Sequence, residues 1–171
     1  MIKGPRPHGR RPIGHRRAMV FFVLGFVVVT ILAFWLYLLI VAIKGGHIAS
    51  PTAISRDPIY LLSEKWYPVL NLLVWTAGSW FYFRRQPRGS NQAKDALHLG
   101  TFWLILALPL DLAVWVLIPS PLSLSASSFY LGQFPWIYLT YAAVFASPLV
   151  YVATARLRQG QPQQGQVSQT Q

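Results

Sequence analysis

The chain has 171 residues, of which 54% are hydrophobic and only 11% charged, with a formal net charge of +11. Apolar residues gathered in long blocks exclude a disordered chain, and so little charge argues against an ordinary soluble domain, where about a quarter of residues are charged. Cysteine is absent, which excludes disulfides, thiolate metal sites and a cysteine nucleophile.

Residues 1–17 are rich in Pro, Gly, Arg and His and are expected to be a disordered basic tail. Residues 19–43 carry no charge. They exceed the roughly 20 apolar residues that a helix needs to cross a hydrocarbon core of about 30 Å. The stretch is too long for the apolar core of a cleaved leader, about 7–15 residues, and reads as an uncleaved anchor.

Asp57-Pro58 then predicts a helix start, with a capping side chain followed by proline at the first helical position. Ile59, Tyr60, Leu61 and Leu62 form a short apolar run, and Trp66-Tyr67-Pro68 reads as an interfacial restart. A short outer surface helix is therefore expected before a second span at 66–83. One long tilted helix is the alternative. Asp57 and Glu64 read as surface carboxylates paired with Arg56 and Lys65.

The third span is placed at 97–118 and contains one charge, Asp111; the fourth is placed at 129–153. Pro109 and Pro148 free the carbonyls of Ile105 and Val144 and predict kinks. Residues 156–171 are expected to be a disordered Gln-rich tail.

Basic residues gather on the cytoplasmic side of membrane spans. With both termini inside, twelve of the fifteen Lys and Arg fall on that side. The fold expected is an all-α membrane protein, a four-transmembrane-helix bundle over residues 18–155 with both termini cytoplasmic. Arg10, Arg11, Arg16, Arg17, Arg84, Arg85 and Arg88 would meet anionic lipid headgroups at the inner leaflet, each contact worth about 1 kcal/mol near the surface.

Asp111 is the one acidic residue within a span, and an ionisable group at such depth is a functional hypothesis by default. It lies about seven residues, or about 10 Å, from the outer end of its helix. Helical spacing puts Gly100, Leu104, Ala107 and Trp115 on its face, and the small residues let another helix approach. Matching depths from the outer ends gives Tyr37, Asn71 and Tyr138 as hydrogen-bonding partners in a polar cluster. None is a cation.

No catalytic constellation, phosphate loop or metal motif is present, so no catalytic residue, metal or cofactor is expected. His47 and His98 fall near span ends and read as interfacial. Gly78-Ser79 reads as a packing patch. The basic tail does not signal specific nucleic-acid binding.

The segments Arg84-Arg85-Gln86-Pro87-Arg88-Gly89-Ser90, Leu99-Gly100-Thr101-Phe102-Trp103, Leu108-Pro109-Leu110-Asp111 and Pro135-Trp136-Ile137-Tyr138-Leu139-Thr140-Tyr141 carry a resemblance. Over residues 66–151 the chain resembles small bacterial four-helix integral membrane proteins grouped as a domain of unknown function. The resemblance implies a compact bundle in a bacterial plasma membrane and brings no activity. The expected role is a non-enzymatic accessory or scaffold subunit, with the bilayer and a second copy or a membrane-protein partner around it. The alternative is a small proton- or cation-coupled transporter that uses Asp111.

Overall fold

The computed structural model describes residues 14–47, 57–85, 91–119 and 124–159. Helix is the only regular secondary structure among the described residues. In chain order they form α1 (His15–Lys44), α2 (Pro58–Glu64), α3 (Tyr67–Phe83), α4 (Gln92–Asp111), a π-helical segment (Leu112–Leu117), α5 (Ala126–Tyr130) and α6 (Trp136–Gln159). Three helical stretches are long and apolar enough to cross a membrane: α1, α4 with its π segment, and α6. α3 is shorter, with 17 residues.

Contacts at the helix ends fix the directions. Arg17, at the start of α1, donates from Nη2 to the carbonyl of Phe81 at the end of α3, at 2.9 Å. The two helices are therefore antiparallel. Trp103 donates from Nε1 to the Ala18 carbonyl at 3.1 Å, and the His15 and Phe102 rings lie 5.7 Å apart. This sets the first half of α4 beside the first half of α1. Phe83 stacks on Tyr151 at 5.6 Å, so α3 and α6 run in the same direction. One end of the bundle thus gathers Arg17, Arg84, Arg85, Lys94, Arg156 and Arg158. Lys44 and Lys65 lie at the other.

The half nearest the basic end is densely packed. Trp75 stacks on Phe22 at 5.4 Å and tilts against Trp103 at 5.0 Å. Trp103, Leu99 and Ala96 have no exposed surface, and Tyr82 is likewise enclosed. Gly100 is a point of close approach between α4 and α6, since a Cβ there would run into the carbonyl oxygen of Phe145. α6 carries Pro148 in its interior, which removes the amide that would bond Val144. Ser147, with no exposed surface, donates its hydroxyl to that carbonyl at 2.9 Å.

Several boundaries differ from the sequence reading. α1 begins at His15 and takes in Arg16 and Arg17, because Arg17 is held by Phe81 and by the Phe21 and Tyr82 rings, 5.5 and 5.3 Å from its guanidinium. α6 continues to Gln159, with Arg156 and Arg158 in its last turn, where positive charge suits the helix dipole. The fourth long helix begins at Trp136 rather than at residue 129. Phe129 belongs to α5, whose Ser125 cap accepts from the Ser128 amide at 3.1 Å. Pro135 disfavours helical geometry in the residue before it, so the two helices stay separate.

α2 begins as Asp57-Pro58 predicts, with the Asp57 carboxylate accepting from the Ile59 amide at 2.7 Å. It breaks at Lys65–Trp66, so α2 and α3 are two helices and not one long one. α2 also packs into the bundle: Ser63 is fully covered and Glu64 is 2% exposed.

Candidate functional site

Towards the end opposite the basic residues, the bundle opens. α1 and α6 pack on α3 rather than on each other, and a cavity of about 750 Å³ lies between them. Its floor is Phe26, Trp75 and Val144, below which sits the Phe22–Trp103 core. Ile31, Phe34 and Trp35 line it too, and these are more than half exposed, so the cavity reaches the surface sideways, beside α1.

Two carboxylates line this one cavity, Glu64 from α2 and Asp111 from α4. None of the described residues lining it is Lys, Arg or His. Glu64 corrects the expectation of a surface ion pair. Its neighbour Lys65 is exposed, while the Glu64 oxygen Oε1 is buried without a hydrogen-bond partner among the described residues. Burial pushes its carboxyl up to about 7, an effect the Tyr60 hydroxyl partly offsets. Tyr60 in turn accepts from Gln133 Nε2 at 3.2 Å, which ties α2 to the turn before α6. Burial likewise raises the Tyr60 phenol above its ordinary range.

The reason for the correction lies in the spacing. Tyr60, Ser63, Glu64 and Tyr67 stand three and four residues apart and share one face across the break. Leu61 and Lys65 occupy the exposed face. That periodicity is the signal for Glu64 in the sequence, and the neighbouring basic residues conceal it. Arg56 lies outside the described residues.

Asp111 sits where α4 passes into the π segment. The Ile118 amide bonds Ala113, five residues back, at 2.9 Å. Such wide turns concentrate at functional sites. The side chains beside the Asp111 carboxyl are Tyr141 and Trp115. The Tyr141 hydroxyl is close to both Asp111 and Tyr130, yet it completes no hydrogen bond of ordinary length among the described residues.

The expected partners of Asp111 divide. Tyr37 lines the same cavity, 4% exposed, with its ring 6.1 Å from Tyr60. Asn71 also lines it, but its amide is used locally: it donates to the Tyr67 carbonyl at 2.9 Å and accepts from Trp75 Nε1 at 3.0 Å. Tyr138 is 47% exposed, and its ring meets Phe134 at 5.8 Å instead. Counting from residue 129 puts Tyr138 at the depth of Asp111. Because the helix starts at Trp136, Tyr141 occupies that depth.

At the basic end, Arg17 is engaged by α3, and Arg84 lies over the Trp80 and Phe81 rings at 5.2 and 4.8 Å. Arg16 and Arg85 are exposed. Arg10, Arg11 and Arg88 lie outside the described residues. No cluster of three or more His, Asp and Glu side chains placed to hold a metal ion occurs among the described residues. Comparison with known proteins finds no matching family model, no matching curated protein and no matching solved structure.

Proposed function

We propose that the chain is a four-span protein of a bacterial plasma membrane, with the basic end and both termini cytoplasmic and α2 at the outer interface. In this reading α3 crosses the bilayer despite its length, because it runs beside α6 from one end of the bundle to the other. The opening beside α1 then faces lipid in the outer half of the membrane.

We further infer that the protein is a small coupled transporter rather than a scaffold or an enzyme, and that the cavity is its substrate site. The observation that carries this reading is the pairing of two carboxylates, Glu64 buried and Asp111 half-buried, with one laterally open, mostly apolar cavity. A scaffold has no use for that arrangement, since buried carboxylates without cations are costly. The tight aromatic floor would close the path to the cytoplasm in this conformation.

The test is occupancy. The full chain is placed in phosphatidylcholine nanodiscs and titrated with neopentylbenzene, a neutral probe of the cavity's size, while tryptophan emission is followed. Saturable binding that Ala33→Trp abolishes supports the reading, because Ala33 lines the cavity. Binding untouched by that filling variant, or no saturation at all, returns the protein to an accessory role.

A further inference from the structure

We propose that the cavity takes an organic cation with an apolar body, and that Glu64, rather than Asp111, is the carboxylate that meets its charge. This rests on the cavity being a substrate site and names the substrate class. Three observations lead to it.

The first is charge. The lining supplies two acidic groups and, among the described residues, no basic one. A bound cation would provide the counter-charge that the fold does not. The second is the difference between the two acids. Asp111 is half-buried, with the polar groups of Tyr141 and Trp115 near its carboxyl. Glu64 is 2% exposed, and although the Tyr60 hydroxyl is near its carboxyl, Oε1 has no hydrogen-bond partner among the described residues. An unmade interaction at a buried oxygen is costly and calls for a ligand atom. The last torsion of a glutamate is soft, so its carboxyl can turn Oε1 into the cavity.

The third is the wall. Trp35, Tyr37, Tyr60, Tyr67, Trp75 and Trp136 all line the space, and aromatic faces attract a diffuse positive charge. They suit a quaternary or alkylated nitrogen, which has few N–H groups to satisfy. A hard divalent cation such as Ca²⁺ or Mg²⁺ fits poorly. It needs six or more oxygens at about 2–2.6 Å, whereas the nearby amide and hydroxyl of Asn71 and Ser63 are already bonded locally and the space is about 750 Å³. Sideways access beside Ile31, Phe34 and Trp35 favours a molecule that partitions into lipid through its apolar part.

The experiment compares benzyltrimethylammonium with neopentylbenzene, its neutral isostere, on the full chain in phosphatidylcholine nanodiscs at pH 8. The cation should bind at least tenfold more tightly than the isostere. Glu64→Gln should remove that advantage and leave the isostere's affinity within about twofold, which also shows that the variant is folded. Asp111→Asn should change cation affinity less than Glu64→Gln does. Should Glu64→Gln fail to fold, Glu64→Asp is measured instead: it keeps the charge but withdraws it by one methylene, and should weaken the cation selectively. Equal affinities for the two probes, or a cation affinity indifferent to residue 64, overturn the proposal while leaving the cavity a binding site. A larger loss from Asp111→Asn overturns the choice of Glu64. Failure of both probes to bind the native chain removes the substrate-site reading and this proposal with it.

Discussion

Replacing Glu64 with Gln should stabilise the protein at alkaline pH and destabilise it by about 1 kcal/mol in acid, where the native carboxyl is protonated. An unfolded glutamate ionises near 4.5, and burial raises the Glu64 carboxyl to about 7. Between those values the folded state holds its proton more tightly than the unfolded state does. The contribution of this carboxyl to stability therefore falls as pH rises from about 4.5 to about 7 and is level above that. At about 1.4 kcal/mol per pH unit, the whole window is worth about 3 kcal/mol. The substituted amide would still be a buried polar group with one partner missing, which offsets about 1 kcal/mol of the gain. The expected difference is thus about 2 kcal/mol in favour of Glu64→Gln at pH 8.

Equilibrium unfolding in mixed micelles, repeated at intervals from pH 4.5 to pH 8.5, measures this directly. The native curve should fall with pH relative to the variant curve, by the contribution of this one carboxyl. A variant less stable than the native chain at pH 8 would refute the reasoning, because it would mean that the ionised carboxylate is held by favourable partners. A difference that does not vary with pH would refute it too, since desolvation of charge is the stated cause.

Three further outcomes follow from the packing and the topology. Ser147→Ala should cost about 1–2 kcal/mol by stranding the Val144 carbonyl, and clearly less in a Pro148→Ala background, where residue 148 regains an amide; unfolding of the four chains in a double-mutant cycle reads the coupling. Gly100→Val should destabilise by about 1–3 kcal/mol by forcing α4 from Phe145, while Gly78→Ala, whose Cβ would meet only Trp103 at 3.8 Å, should be neutral or slightly stabilising in the same assay. Because the chain has no cysteine, single-cysteine variants can report topology: in intact cells an impermeant maleimide should label Ala126→Cys and not Ala93→Cys, and equal labelling of both would contradict the four-span arrangement.

Hydropathy made the long helices legible because solvent sets it, residue by residue, without reference to packing. The start of α2 was legible for a different reason, since Asp57 and Pro58 act on the backbone next to them. What the sequence concealed depended on pairs of helices. The Gly100–Phe145 approach is unreadable until α4 and α6 are laid together, although a small residue at that position hinted at it. The exchange of Tyr138 for Tyr141 came from one break, at residues 131–135, which shifted every depth counted from it. Glu64 is concealed by its neighbour: a carboxylate followed by a lysine resembles a solvated pair, and only the three-and-four spacing from Tyr60 to Tyr67 shows that the two side chains point apart.

The two halves of the bundle are built on different terms, and the difference accounts for where the cavity lies. Near the basic end the long helices are unbroken, apart from Pro148, whose freed carbonyl Ser147 satisfies. Continuous helices present regular faces, and Phe22, Trp75, Leu99 and Trp103 fill the space between them. Towards the other end, regularity is lost three times: at Lys65–Trp66, in the π segment after Asp111, and between α5 and α6. Each interruption breaks the regular face that a continuous helix would present, and a laterally open space remains between the helices. The same interruptions place polar groups there, because Glu64 ends one helix and Asp111 ends another. Space and charge at this site therefore have one structural origin. Straightening α2 and α3 into a single helix would turn Glu64 relative to the Tyr67 face as well as narrow the cavity, so binding should depend more steeply on that junction than overall stability does.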